Sequence, residues 1–506
     1  MRGAASFRDG ASLRRNAPGR HVHEQQGGWH AECYLPRVAH TVRTVNPATE
    51  ELLEEIEVDP PERIERAVAR AAQAFERWRR TSFTTRAELL RAVAARLREE
   101  EAAHARRITL EMGKPIQQAR AEVAKCALAC DHYAELGPHL LADEPAPADA
   151  TQSYVSFEPL GPILAVMPWN FPYWQVFRAA APALLAGNVM LLKHAAGVSR
   201  CALDMASLFE RAGAPEGLFQ SLIVGHDAIA RLIADDRIAA ATLTGSELAG
   251  ASLAREAGTH IKKTVLELGG SDAFIVLADA DLEQAARTAV LARFQNTGQS
   301  CIAAKRFIVE ARVLGEFTER FVAGVRALRT GDPLDESVYV GPLARPDLRD
   351  ELERQVQKSV AAGARVLVGG RRLDRRGYFF EPTLLADAPL DSPILAEEVF
   401  GPAAPIVSVR DAAEAVRLAN ASRFGLSNNL WTRDLDRARR LARELTSGGV
   451  FINGMTASDP RLPFGGVKKS GYGRELGAFG LREFVNVKTV WIGPSRAAPK
   501  HAAPSE

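Results

Sequence analysis

The chain has 506 residues, 46% of them hydrophobic and 25% charged; this length exceeds one core, which stops growing at about 250–300 residues, and this composition excludes a disordered, collagen-like or coiled-coil chain. Lys and Arg number 64 against 62 Asp and Glu, a formal net charge of +2, so no global field draws the chain to nucleic acid, and a small neutral or anionic metabolite is the expected partner. No apolar stretch reaches the roughly 18 residues of a membrane helix: the run over residues 163–177 is broken by Pro168, Asn170 and Pro172.

Residues 1–40 are rich in Arg and poor in acids, with no apolar core of the secretory kind, and read as an unstructured tail; an Arg-rich transit peptide or a misassigned start are the alternatives. From Pro61 the apolar residues Ile64, Ala67, Val68, Ala71, Phe75 and Trp78 recur at helical intervals. A second helix is expected to start at a capping box, Thr85 with Glu88, with Leu89, Leu90, Val93 and Leu97 as its buried stripe. Gly113 should end the next helical run. Residues 153–157 alternate as an exposed strand would. Short apolar runs at 163–167, 189–193, 221–224 and 239–243 read as buried parallel strands of a doubly wound sheet. A second α/β region begins near Ala273, with strands at 274–277 and 307–309 and helices at 282–294 and 314–328; residues 484–491 form a strand near the carboxyl end that could join another sheet edge.

The five cysteines are an odd, scattered count, which suits a reducing compartment and a cytoplasmic location. Cys126 and Cys130 lie four apart in a helical stretch, but no His or second Cys pair stands nearby, so core packing and no metal are expected. Three other strings carry chemistry. In Phe294-Gln295-Asn296-Thr297-Gly298-Gln299-Ser300-Cys301 a thiol sits at a helix-to-loop junction where backbone amides could stabilise a thiolate; a buried structural Cys is the alternative. In Val265-Leu266-Glu267-Leu268-Gly269-Gly270 a carboxylate closes an apolar strand, where desolvation would raise its pKa toward the range of a general base; a solvated strand end is the alternative. Pro168-Trp169-Asn170-Phe171-Pro172 is a rigid turn able to aim an amide donor at an oxyanion.

Together these strings resemble the NAD(P)-dependent aldehyde dehydrogenase superfamily, over nearly the whole chain from Thr44 to Trp491. The resemblance implies two doubly wound, Rossmann-like α/β domains plus a small β oligomerisation arm: an NAD(P)-binding domain over 41–136 and 160–267, a catalytic domain over 268–480, and an arm from 137–159 and 481–495 that makes a homodimer or homotetramer. It implies Cys301 as nucleophile, Glu267 as general base, Asn170 with the Cys301 N–H as oxyanion hole, and Glu475 as a second acid relaying protons. It implies cofactor contacts at Trp169, Lys193, Ala196, Gly225, Gly245, Ser246, Leu268, Glu398 and Phe400. No G-x-G-x-x-G follows the first strand; Ser246 is instead an N-cap whose neighbouring amides could face the pyrophosphate, as could those of any ordinary capped helix. Members restricted to NAD usually have Glu where this chain has Ala196, so use of both NAD and NADP is expected.

The expected reaction is oxidation of an aldehyde to the acid through a Cys301 thiohemiacetal and thioester. Arg178 lies at a tunnel-lining position, where a buried guanidinium needs an anion; a substrate carboxylate would serve, and an internal ion pair to Glu or Asp is the alternative. Succinate-semialdehyde dehydrogenases have Arg there and a Ser matching Ser458. Many have a second Arg where this chain has Gln295, a position in the substrate set all the same. One bacterial branch resembles this chain there and in Gly465-Gly466-Val467-Lys468-Lys469-Ser470-Gly471. Succinate semialdehyde is therefore the expected substrate, with glutarate semialdehyde, another aliphatic aldehyde, or thiol esterase action at the same site as alternatives; a non-catalytic binding protein is a third class. Ala303 stands where redox-switched relatives have a second Cys, so such a switch is not expected.

Overall fold

Short, apolar, β-branched runs bounded by Gly and Pro become the strands of two largely parallel sheets in the computed structural model, which describes residues 41–493; the expected tail over 1–40 lies outside the described residues. The first sheet has the order Gly471–Tyr472, Lys263–Glu267, Ala240–Thr244, Pro162–Met167, Val189–His194, Phe219–Leu222. All its pairings are parallel except the first. Strand order reverses beside Pro162–Met167, whose neighbours are the next strand in the chain on one side and Ala240–Thr244 on the other. A doubly wound sheet opens a ligand crevice at such a reversal, outside the carboxyl ends of its strands.

The second sheet runs Arg365–Val368, Thr383–Ala386, Ala403–Val409, Ala304–Glu310, Asp272–Val276, Ser427–Trp431, Gly449–Ile452. It is parallel apart from its Arg365–Val368 edge. Only Leu268-Gly269-Gly270-Ser271 separates Glu267, the last residue of a strand in one sheet, from Asp272, the first of a strand in the other. A third, antiparallel sheet of Glu144–Pro145, Gln152–Pro159 and Val485–Ile492 pairs the expected carboxyl-terminal strand within the same chain, from Val485 opposite Pro159 to Ile492 opposite Gln152. A hairpin of Thr41–Val45 and Leu52–Glu57 precedes the first helix; the sequence pattern does not announce it.

The helices follow their apolar faces. Pro61–Trp78 starts on Pro and buries Ala67, Val68, Ala71, Phe75 and Trp78. Gly113 takes the left-handed conformation (φ 80°) that ends Glu101–Met112. One expectation changes. The second helix, Phe83–Glu99, is capped one residue before its start by Ser82, whose Oγ accepts from the Thr85 N–H at 3.1 Å, so Thr85 is a donor inside the first turn and not the cap. The helix Ile116–Leu140 continues past residue 136 through Pro138; the Ala134 carbonyl that proline cannot serve accepts instead from Arg91 Nη2 at 3.3 Å. Cys126 and Cys130 are fully buried in the core beside Val123 and Tyr133, as core packing requires. Among the described residues no helix is long and apolar enough to cross a membrane.

Candidate active site

Cys301 lies on the loop that leads into the strand Ala304–Glu310, and the chain before it is wound tightly. Asn296, Thr297 and Gly298 all have positive φ, at 54°, 57° and 71°. Left-handed backbone at two non-glycine residues costs about 1–3 kcal/mol each and persists only where surrounding contacts over-determine it. Those contacts are present. The Asn296 N–H donates to Gln118 Oε1 at 2.6 Å, and its side-chain amide donates to the carbonyls of Asn170 (2.8 Å) and Gln299 (3.0 Å). Thr297 Oγ1 accepts from the Gly341 N–H at 3.0 Å, and Gln299 Oε1 accepts from the Ala344 N–H at 2.9 Å. After the loop, the buried Lys305 ammonium donates to the carbonyls of Ser300 (2.8 Å) and Cys301 (2.7 Å) and lies 3.7 Å from Glu398.

The Cys301 side chain opens on a cavity of about 230 Å³. Of the expected substrate residues, Arg178, Gln295 and Ser458 all line it, with Trp174 and Phe464. Asn170, Glu267 and Glu475 are buried outside that lining. Asn170 Nδ2 donates to the Gln299 carbonyl at 3.1 Å, which ties the amide to the Cys301 loop through one of its two hydrogens. Both carboxyl oxygens of Glu267 are buried without a hydrogen-bond partner among the described residues.

Burial sets the protonation of this site. It pushes the Cys301 thiol up to about 12; Arg178 and Lys305 oppose that rise, and Glu398 and Glu267 add to it. This shift favours the thiol over the thiolate, because desolvation outweighs the two nearby cations. Burial likewise pushes the Glu267 carboxyl well above its ordinary range, and the neighbouring Glu475 pushes it further. Glu475 is also raised by burial, but Arg178 opposes the shift. The guanidinium on Glu475 favours the charge on that acid over Glu267.

Arg178, which lines the cavity, also has an internal partner: its Nε is ion-paired with Glu475, both residues are almost fully buried, and Nη2 reaches Thr244 Oγ1 at 3.3 Å. The guanidinium stacks 4.7 Å from the Phe464 ring. Sequence patterns could not reveal this pair, whose members are 297 positions apart (475 − 178).

The expected cofactor residues gather at the carboxyl ends of the first sheet. Lys193 is the penultimate residue of Val189–His194 with Ala196 just after that strand, Gly225 follows the next, and Gly245 and Ser246 follow Ala240–Thr244. Ser246 Oγ caps the helix Glu247–Thr259, accepting from the Ala249 N–H at 3.2 Å. Leu268 packs under that helix against Gly250. Glu398 accepts from the Gly270 N–H at 2.9 Å, and Phe400 meets Trp169 edge to face at 5.7 Å. Lys193 is 6% exposed and its ammonium has neither hydrogen bond nor ion pair among the described residues. An unpartnered ammonium and a capped helix N-terminus at the same carboxyl edge of a doubly wound sheet fit a polyhydroxylated, phosphate-bearing ligand such as NAD or NADP.

Three contributors escape the motif strings. Gln118, Ala121, Glu122 and Lys125 all line the cavity from one helix, and their spacing of three, four and seven is the sequence signal of a single helix face, polar at all but Ala121. Glu122 Oε1 accepts from the N–H groups of Tyr173 (2.9 Å) and Trp174 (3.0 Å), anchoring the start of the helix that carries Arg178. Lys305 fastens the nucleophile loop, and Lys125 supplies a second cation to the cavity.

The model of the aldehyde dehydrogenase family matches residues 34–490. The chain is 52% identical over 451 residues to a probable succinate-semialdehyde dehydrogenase [NADP(+)] of Synechocystis, covering 89% of this chain and 99% of that protein. It is 52% identical over 448 residues to a succinate semialdehyde dehydrogenase [NAD(P)+] of Escherichia coli, covering 88% and 97%. A crystal structure of succinic semialdehyde dehydrogenase from Streptococcus pyogenes in complex with NADP+ superposes with a TM-score of 0.88 at 37% identity, covering 90% of this chain and all of that one.

Proposed function

Since this chain belongs to the aldehyde dehydrogenase family, we propose that it oxidises succinate semialdehyde to succinate with NAD or NADP. The observation that carries this reading is one cavity into which a cysteine, two cations and a serine hydroxyl converge. The thiol supplies the reacting atom and the cations suit an aldehyde that bears a carboxylate.

The Cys301 sulfur adds to the aldehyde carbon as its proton departs, giving a thiohemiacetal. The oxygen that gains charge is met by the second Asn170 amide hydrogen and the Cys301 N–H, both fixed before the reaction begins. An oxidised nicotinamide held beside Cys301 would supply the two-electron, hydride-accepting chemistry that turns this thiohemiacetal into a thioester. Cys301 then holds a thioester. Glu267, in its ionised form, takes a proton from water as the water oxygen attacks; the C–S bond breaks and the thiol is regenerated as the acid departs. Lys193, Ser246 and the free amides behind Ser246 would hold the dinucleotide, with Trp169, Ala196, Gly225, Gly245, Leu268, Glu398 and Phe400 around it. Glu475, held by Arg178, tunes Glu267 from behind.

The division into an NAD(P)-binding part over 41–136 and 160–267 and a catalytic part over 268–480, a cytoplasmic location, and self-association as a homodimer or homotetramer belong to the same proposal. Two separate sheets support the division. The exposed Val487 and Trp491 on the third sheet support self-association. The test is a steady-state panel of succinate semialdehyde, glutarate semialdehyde and butanal with each cofactor: the highest kcat/KM is expected for succinate semialdehyde, and equal values for all three would refute the assignment.

A further inference from the structure

Two cations face the cavity that holds Cys301, and only one of them is neutralised. Arg178 carries Glu475 on its Nε. Lys125 lines the same cavity from the helix Ile116–Leu140 and has no carboxylate within ion-pairing distance among the described residues. The two acids whose charge reaches it are engaged elsewhere. Glu122 pairs with Lys114 and accepts from two backbone N–H groups. Asp459 is paired with Arg461 at 2.6 Å.

The Lys125 ammonium is held in place by neutral groups. It donates to Ser458 Oγ at 2.9 Å and lies 4.2 Å from the centroid of the Trp174 ring. Ser458 Oγ also accepts from Trp174 Nε1, at 2.8 Å. A hydroxyl oxygen has two acceptor sites and one hydrogen. With both acceptor sites filled by donors, the Ser458 O–H has only its hydrogen left, and no acceptor in the protein takes it among the described residues. An ammonium with spare N–H bonds therefore stands beside a hydroxyl constrained to donate, on the wall of the reaction cavity. Such a pair is complementary to the two oxygens of a carboxylate.

We infer that Lys125 and Ser458 together bind the carboxylate of the aldehyde substrate, with Lys125 supplying the uncompensated positive charge that selects a semialdehyde over a neutral aldehyde. This rests on the oxidation proposed above and names the residue that gives it selectivity. Arg178 contributes less to selection, because its charge is already balanced by Glu475.

The test compares kcat and KM for succinate semialdehyde and for butanal, of equal chain length, in the wild type and in Lys125→Met, Lys125→Arg and Ser458→Ala. Losing a charged hydrogen-bond partner is expected to lower the preference for succinate semialdehyde over butanal by about tenfold to a hundredfold in Lys125→Met, through KM more than kcat. Lys125→Arg should recover most of that preference, and Ser458→Ala should lose part of it. Competitive inhibition by succinate, which needs no chemistry, should weaken in Lys125→Met in parallel. A wild type that prefers succinate semialdehyde beside a Lys125→Met enzyme with the same preference and the same succinate inhibition overturns the role of Lys125 and leaves the proposed reaction standing. A wild type with no preference overturns both.

Discussion

A guanidinium buried as deeply as that of Arg178 needs an anion, and the anion it has is Glu475. Removing one partner of a buried pair leaves the other uncompensated, so Arg178→Ala should harm the reaction with any aldehyde: kcat/KM should fall about tenfold or more for butanal as well as for succinate semialdehyde. A loss confined to succinate semialdehyde would assign Arg178 to the substrate instead. Glu267 yields a prediction in pH. Its carboxyl is raised by burial and by Glu475, so if its ionised form activates water, as proposed, kcat limited by thioester hydrolysis should rise with pH, over a range displaced upward from that of an ordinary carboxylate. In Glu267→Gln that rise should vanish along with most of the hydrolysis, which stopped-flow or steady-state pH profiles would record. In the proposed cofactor site, Ala196 would place no carboxylate near the ribose. Ala196→Glu should lower kcat/KM with NADP by about tenfold while sparing NAD, since a like charge would oppose the 2′-phosphate in a site with little screening.

At the scale of elements, the tight winding of residues 296–298 is what presents Cys301. Gly298 tolerates its left-handed conformation, and a Cβ there would meet the Gly401 carbonyl oxygen well inside van der Waals contact. Gly298→Ala should destabilise the chain by roughly 1–3 kcal/mol and lower kcat, both visible in a thermal melt and a rate assay. The elements whose character is local are legible in the sequence. The helix Leu282–Phe294 carries its own cap, Asp281, and its own apolar face; the strands Pro162–Met167 and Val189–His194 are uninterrupted buried runs. What depends on distant partners is not legible. Gly471–Tyr472 is two residues long and has no periodicity of its own, yet its pairing with Leu266 and Glu267 joins the chain before Glu475 to the strand that ends on Glu267. The cap at Ser82 escapes for another reason: Ser82 and Thr85 offer the same hydroxyl one turn apart, and only the backbone geometry distinguishes them. Lys125 escapes because its partners, Trp174 and Ser458, are far away in the chain, although the spacing of Gln118, Glu122 and Lys125 puts three polar side chains on one helix face.

For the whole molecule, the site exists because two sheets end on each other. Glu267 closes a strand of one, Cys301 precedes a strand of the other, and four residues join the sheets beside them. The central claim is that Cys301 is acylated by the aldehyde it oxidises and that Glu267 releases the product. Rapid quenching of Glu267→Gln with succinate semialdehyde and NADP, followed by mass spectrometry of its peptides, tests this most directly. A single burst of reduced cofactor with a succinyl group retained on the Cys301 peptide is the predicted result. Reduced cofactor formed over many turnovers with Cys301 unmodified would contradict it.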